Sequence, residues 1–140
     1  MSDSLVHADD VYSKLYASGY PIGNPLALVR KFDLAKTLKT IDLGCGRASM
    51  SVFFDSYVGI DVSSYVIDLN RKTREGIYHR AGLTDLTCVV GEFFDLAFCS
   101  DVLEHIPPEE VQPSLAEIAR LNCLRFAFAI STRPSVLLDH

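Results

Sequence analysis

The residues of this chain best spaced for chemistry are Gly44, Cys45 and Gly46, at the end of the apolar run Thr40-Ile41-Asp42-Leu43, and Asp61, which closes a second run, Tyr57-Val58-Gly59-Ile60. Glycines at a strand end let the backbone turn sharply and approach a bound molecule. A carboxylate ending the next strand then faces the same pocket, which is how an α/β sheet accommodates a ribose-bearing cofactor. Farther on, Asp101, Glu104 and His105 follow the apolar run Phe94 to Cys99 and bring acid, base and ligand chemistry to the same rim.

These residues need parallel strands ending together. Residues 40–43, 57–60, 94–99 and 124–130 read as strands, 94–99 as an apolar run of the kind buried in a parallel sheet. The third strand has two placements, 77–80 before the Gly82-Leu83-Thr84-Asp85 turn, or 88–90. Helical spacing covers 9–17, with Val11, Tyr12, Leu15 and Tyr16 on adjoining faces, and 26–38, with Leu26, Val29, Phe32 and Leu38 as core contacts. A short helix is expected over 48–54, and another capped by Ser63 or Ser64 reaches Lys72 before Gly76. Pro107-Pro108-Glu109-Glu110 opens a further helix whose buried stripe is Val111, Leu115, Ile118 and Ala119. Strands alternating with helices predict a doubly wound, Rossmann-like α/β sheet of about five parallel strands with helices on both faces. The expected organisation is one domain over 1–140, with a helical segment over 9–38 and a sheet core over 39–132.

Composition narrows the partners. The 140 residues carry 13 basic and 18 acidic side chains, a net charge of −5, so no broad cationic field favours nucleic acid. Arg71-Lys72-Thr73-Arg74 is the densest basic run and falls near a helix end, where cations suit the helix dipole. Four cysteines, Cys45, Cys88, Cys99 and Cys123, lack metal-ligand spacing and read as reduced, mostly buried thiols. No segment has the roughly 20 apolar residues that span a bilayer and no leader pattern is present, so no membrane partner and a cytoplasmic location are expected.

Four blocks resemble the class I S-adenosylmethionine-dependent methyltransferases, in particular their small-molecule branch. They are Ile41-Asp42-Leu43-Gly44-Cys45-Gly46, Gly59-Ile60-Asp61, Phe94 through Pro107 with Leu103-Glu104-His105 inside it, and Ile130-Ser131-Thr132. Their order matches the family, over roughly residues 12–132. The resemblance implies S-adenosyl-L-methionine as cofactor, with its amino group on Asp42, its methionine moiety against Gly44, Cys45 and Gly46, and its ribose hydroxyls on Asp61. Val62, Ser100 and Tyr16 join that set. Asp85, with the backbone amide of Leu83 or Leu86, is the implied adenine contact, displaced from the usual position near Gly82. A nicotinamide dinucleotide fits less well, because its fingerprint needs a third small residue where this chain has Ser49.

The implied reaction is methyl transfer by in-line displacement to a small-molecule or other non-nucleic-acid acceptor at oxygen, nitrogen or carbon. A hydroxyl acceptor needs a general base. His105 is the candidate, with Glu104 beside it; the alternative is that His105 packs the following turn. Tyr12, Tyr16 and Tyr20 read either as a lid over the cofactor or as packing aromatics. Asp101, Glu104 and His105 also have ligand types suited to a divalent metal, as in small-RNA 2'-O-methyltransferases, but the further histidine such a site needs is matched here by His140 alone, so no metal is expected. The family's sheet has seven strands, so this chain is expected to be truncated, leaving 124–130 as an apolar edge that favours a homo-oligomer. A second reading is a non-catalytic cofactor-binding regulatory or partner subunit.

Overall fold

The computed structural model describes residues 3–19 and 25–132. Five parallel strands, β1 (Lys39–Leu43), β2 (Ser56–Asp61), β3 (Ile77–Arg80), β4 (Phe93–Ser100) and β5 (Asn122–Ala129), form one sheet in the order β3-β2-β1-β4-β5. β1 lies at its centre, and the chain leaves it in one direction for β2 and β3, then crosses over to β4 and β5 on the other side. The strand ends of β1 and β4 therefore flank the switch point at which such sheets bind ligands. Of the two placements for the third strand, 77–80 is the strand, while Thr87–Val89 is a 3-10 turn.

Alternation along the strands divides the core in two. Ile41, Leu43, Val58 and Ile60 face Leu83, Leu86, Val89 and Ile118 on one side of the sheet. Leu96 and Phe98 face Val29, Met50, Val66 and Ile67 on the other. Phe94, Ile60 and Ile41 are completely enclosed, and burying a side chain of this kind contributes about 1.5–3 kcal/mol. The sheet is thereby anchored on both faces below its functional rim.

Four α-helices flank it: α1 (Asp3–Ala17), α2 (Pro25–Lys31), α3 (Ser64–Thr73) and α4 (Pro108–Ala119). Ser63 caps α3, its hydroxyl accepting the Val66 amide at 3.2 Å. At the other end Arg71 donates through Nε and Nη2 to the Tyr78 carbonyl, at 3.2 and 2.8 Å, and so clamps α3 to β3.

Several helical expectations are corrected. α2 ends at Lys31, because Asp33 adopts a left-handed backbone with φ 50° that breaks the helix; Leu26 and Phe32 are exposed, whereas Val29 is buried. The expected helix over 48–54 is only a 3-10 turn, Ser49–Val52, since Ala48 is also left-handed, at φ 54°. In α4 the buried residues are Ser114 and Ile118, while Leu115 and Ala119 face outward, so the seam is rotated from the expected stripe. Cys45 and Cys99 are buried, but Cys88 is exposed and Cys123 half-buried; all four are free. Tyr20 and His140 lie outside the described residues.

The largest correction concerns α1, which starts at Asp3 rather than residue 9 and buries none of its residues. Polar contacts hold it. The Asp9 carboxylate accepts the Ser64 amide at 2.8 Å and both the Ser13 and Ser64 hydroxyls, and pairs with Arg80 at 2.6 Å. Burial alone would raise the Asp9 pKa, but these hydrogen bonds and the Arg80 charge leave it below the ordinary carboxylate range. Ser13 also shares a hydrogen bond with Ser63 at 2.8 Å, and α1 thus lies across the ends of β2 and β3.

Candidate functional site

Beneath α1, at the carboxyl ends of β1, β2 and β4, a cavity of about 740 Å³ opens. Asp42, Gly44, Cys45, Gly46, Asp61, Val62, Asp85, Ser100, Tyr16 and His105 all line it. Residues drawn from separate strands, helices and loops of the chain thus meet in one space.

The glycine turn is shaped by two left-handed residues, Gly44 at φ 77° and Gly46 at φ 52°. A Cβ on Gly44 would run into Val102 Cγ2, and one on Gly46 would sit 3.2 Å from the Tyr16 hydroxyl. Side chains are therefore excluded by conformation and by space. The Gly44 and Cys45 amides both donate to the Ile60 carbonyl at 2.8 Å, and the Ala48 amide donates to the Cys45 carbonyl at 2.9 Å. These bonds tie the turn to β2 and hold it rigidly beside Asp61.

Asp61 is 5% exposed. Its Oδ1 accepts the Ser63 amide at 3.0 Å, while Oδ2 accepts the Gly46 amide at 2.9 Å and faces the Tyr16 hydroxyl at 3.5 Å. Burial raises its pKa, against the lowering effect of those donors. A carboxylate has about four acceptor sites, and the long Tyr16 contact is the one most easily exchanged for a ligand hydroxyl. The same burial, followed by the Asp61 charge, raises the Tyr16 phenol above its ordinary value.

Asp42 projects from β1 to the opposite face from Ile41 and Leu43. The Tyr57 hydroxyl donates to its Oδ2 at 2.5 Å. Burial pushes its pKa up to about 7, with Tyr57 opposing the rise and the Asp61 charge adding to it. No cation contributes to that balance. Cys45 lies between the glycines, and burial, then the charges of Asp61 and Asp42, push its thiol up. It is a packing thiol rather than a nucleophile.

On the β4 side, Asp101 follows the strand with φ 55° and donates its amide to the Ala129 carbonyl at 2.8 Å. His105 lines the cavity, but Glu104 does not. The Glu104 carboxylate oxygens are buried without a hydrogen-bond partner, and Oε1 lies 3.8 Å from His105 Nε2. Glu104 thus stands behind His105 and does not itself reach the cavity. Among the described residues no group of three or more histidine, cysteine, aspartate or glutamate side chains could hold a metal ion. Asp85 reaches the rim, yet its Oδ1 accepts both the amide and the hydroxyl of Thr87, at 3.1 and 2.7 Å. These bonds lower its pKa and engage it in its own turn.

Ser4, Leu5 and Ala8 of α1, which belong to no motif, face the cavity together with the expected Tyr12 and Tyr16. The helical spacing of Leu5, Ala8, Tyr12 and Tyr16 was a usable signal, masked by the polar residues among them. Arg47 and Met50, just beyond the glycine turn, also line it, as do Phe98, Glu110 and Ser114, which the crossover to β4 brings in from a distant segment.

An open parallel sheet with a glycine turn, strand-end carboxylates and a switch-point cavity defines a Rossmann-like cofactor-binding protein. The sequence matches the methyltransferase domain family over residues 41–123, more than half of the chain. The chain belongs to this family, the class I S-adenosylmethionine-dependent methyltransferases. No curated protein matches it by sequence. Among solved structures, magnesium protoporphyrin IX methyltransferase from Synechocystis PCC 6803 with bound SAM is similar with a TM-score of 0.66 at 18% identity, over 86% of this chain and 73% of that one. The 1,6-didemethyltoxoflavin-N1-methyltransferase of Burkholderia thailandensis gives 0.62 at 20% identity, over 89% and 60%. An rRNA methylase from Escherichia coli gives 0.58 at 22%, over 79% and 49%. At these identities the likeness carries the fold.

Proposed function

We propose that this chain is a methyltransferase that carries a methyl group from S-adenosyl-L-methionine to a small, non-nucleic-acid acceptor. The observation that carries the reading is the single cavity joining the Gly44–Gly46 turn, Asp42 and Asp61 to His105. The residues present fit the cofactor: a backbone cradle that a Cβ would fill, a buried acid for the amino group, and a strand-end carboxylate for the ribose. When bound, that cofactor supplies a methyl group already activated on a sulfonium.

The protein's task is alignment and exclusion of water. Asp61 and the glycine turn fix the ribose and methionyl portions, while α1, with Tyr12 and Tyr16, covers them from above. Val62 packs beside Asp61 and Ser100 adds a hydroxyl on the β4 side. His105 receives the acceptor's proton where the nucleophile is a hydroxyl, and Glu104, 3.8 Å from its Nε2, positions the imidazole. On the adenine side Asp85 stands at the rim with the Leu83 amide; the Leu86 amide, the other contact expected there, is already donated to Glu117 Oε1 at 3.1 Å, and that of Asp85 to the Gly82 carbonyl at 3.3 Å.

The acceptor class follows from charge. Asp42, Asp61, Asp85, Asp101 and Glu110 line the cavity against Arg47 and His105, and a net −5 chain repels polyanions. Nucleic acid is thereby disfavoured, although the rRNA methylase has the same fold. No helix among the described residues is long and apolar enough to cross a membrane; the proposed site of action is the cytoplasm.

A second reading, a cofactor-binding partner subunit, is favoured by one observation: β5 leaves Leu124 71% and Phe126 41% exposed. A second copy of this chain pairing along that edge would cover them. Calorimetry with S-adenosylmethionine, S-adenosylhomocysteine and NAD tests the cofactor, with binding of both sulfur compounds but not NAD expected. Transfer of isotopically labelled methyl to a panel of hydroxyl, amine and carbon acceptors then tests catalysis. Binding without transfer to any acceptor would support the partner-subunit reading instead.

A further inference from the structure

The two sides of the cavity differ in chemistry. Asp42, the Gly44–Gly46 turn and Asp61 stand at the ends of β1 and β2, on the side given above to the cofactor. On the β4 side the lining comes from the segment after that strand, where Ser100, Asp101, His105, Glu110 and Ser114 join the apolar Val102 and Ile106. Asp101 and Glu110 are two carboxylates that the cofactor does not use.

Neither is neutralised by a lysine or arginine among the described residues. The ion pairs of Lys14, Arg71, Arg80 and Arg120 are made with Asp10, Asp68, Asp9 and Glu117. Arg47, the one lysine or arginine lining the cavity among the described residues, gives its Nη2 to the Tyr16 carbonyl at 2.6 Å. Carboxylates in the first turn of a helix suit its dipole, and both Glu109 and Glu110 stand there. Only Glu110 lines the cavity, while Glu109 is exposed, so the dipole gives no reason for Glu110 to turn inward.

Ser114 supplies an independent sign of a ligand. It lies four residues after Glu110, on the same face of α4, and lines the same cavity. It is 1% exposed, yet its hydroxyl makes no hydrogen bond to another described residue. An enclosed hydroxyl without a partner is unfavourable, and a polar group bound in the cavity would satisfy it. Two carboxylates and a hydroxyl, all able to accept hydrogen bonds, suit a compact cation with several N–H donors.

We propose that the methyl acceptor is an aliphatic amine, held as its ammonium ion by Asp101 and Glu110 with the Ser114 hydroxyl accepting a further N–H, and that the reaction is N-methylation. This rests on the cofactor reading above. The ammonium first gives one proton to His105. Its freed lone pair then forms the nitrogen–carbon bond while the carbon–sulfur bond breaks, leaving that electron pair on sulfur. Positive charge thus passes from sulfur to nitrogen, toward Asp101 and Glu110, and carboxylates fixed where charge develops stabilise the transition state. A carboxylate acceptor would meet like charge there.

The test is calorimetry on the full chain with S-adenosylhomocysteine and three tethered probes. In each probe a nitrogen replaces the sulfur of S-adenosylhomocysteine and carries a three-carbon arm that ends in ammonium, hydroxyl or carboxylate. Wild-type protein is expected to bind the ammonium arm about tenfold more tightly than the hydroxyl arm, and the carboxylate arm most weakly, a modest factor because both side chains are partly in solvent. Glu110→Gln is expected to cut the ammonium-to-hydroxyl ratio to about threefold, and Glu110→Gln with Asp101→Asn to bring it near one. Equal wild-type affinity for the three arms, or preference for hydroxyl or carboxylate, would overturn the proposal without need of any variant. Binding of S-adenosylhomocysteine but of no armed probe would close the β4 side to an ammonium and overturn it too, as would a ratio that both substitutions leave unmoved. Failure to bind S-adenosylhomocysteine itself overturns the cofactor reading and this inference with it; binding without ammonium selectivity overturns this inference alone.

Discussion

The two edges of the sheet are built differently. At β3, α3 reaches over with Arg71 onto the Tyr78 carbonyl, and Arg80 is paired with Asp9 of α1. The edge is held by polar contacts that close over the cavity, even though Ile77 is exposed. At β5, Ala127 alone is buried, and Leu124, Phe126 and neighbouring Ile130 remain open. Charged and polar covering protects an edge from further pairing, whereas a bare apolar edge invites it. The side carrying Asp61 is therefore complete within the described residues, and the far side is suited to a partner surface.

That contrast can be broken first at Asp61. Asp61→Ala is expected to weaken S-adenosylhomocysteine binding by on the order of 100-fold, since charge-assisted hydrogen bonds to two hydroxyls are lost. Calorimetry measures it, and affinity within threefold of wild type would remove Asp61 from the ribose role. At the opposite edge, Leu124→Asp with Phe126→Glu should shift sedimentation or light scattering toward monomer, with cofactor affinity unchanged within about twofold. A wild-type protein already monomeric at micromolar concentration would refute self-association.

Smaller effects test the electrostatics of the cofactor side. The Asp42 pKa is raised from 3.8 to about 7, so the acid is largely neutral at pH 6 and ionised above 7. Cofactor affinity is expected to rise roughly tenfold between pH 6 and 7.5 as the carboxylate becomes available to the ammonium group. Asp42→Asn should flatten that rise, read as Kd against pH. Stability runs the other way: the folded state favours the neutral acid, so this contribution is fullest below the unfolded pKa of 3.8 and is lost as pH rises through about 7. Smallest of all, Asp101→Gly should relieve a left-handed backbone at φ 55° and raise unfolding free energy by up to about 1 kcal/mol. Chemical denaturation measures the gain, and a loss of stability would mean that the Asp101 side chain contributes more than the backbone strain costs.

How much was legible can be judged residue by residue. β1, β2 and β4 were plain because strands buried on both faces are apolar along their length, and Gly44, Gly46 and Asp61 stood at their ends. α1 was half seen: its first turns carry Asp3, Ser4 and His7 among Leu5, Val6 and Ala8, and a helix that buries none of its residues has no strong apolar stripe. The rotated seam of α4 was hidden because Leu115 and Ser114 occupy adjacent positions, and only packing selects which one turns inward. Glu104 was grouped with His105 by motif, yet adjacent residues in a tight turn point different ways, and one lines the cavity while the other backs it.

Local pattern was sufficient for the glycine turn because its determinants are local: two glycines with positive φ and a carboxylate at the next strand end are dictated by short-range sterics and strand periodicity. The Arg47 contact with α1, the burial that lifts Asp42, the engagement of Asp85 in its own turn and the bare face of β5 depend on which segments the crossover brings together. Desolvation and hydrogen-bond saturation are properties of a filled three-dimensional space, and the order of residues along the chain does not display them.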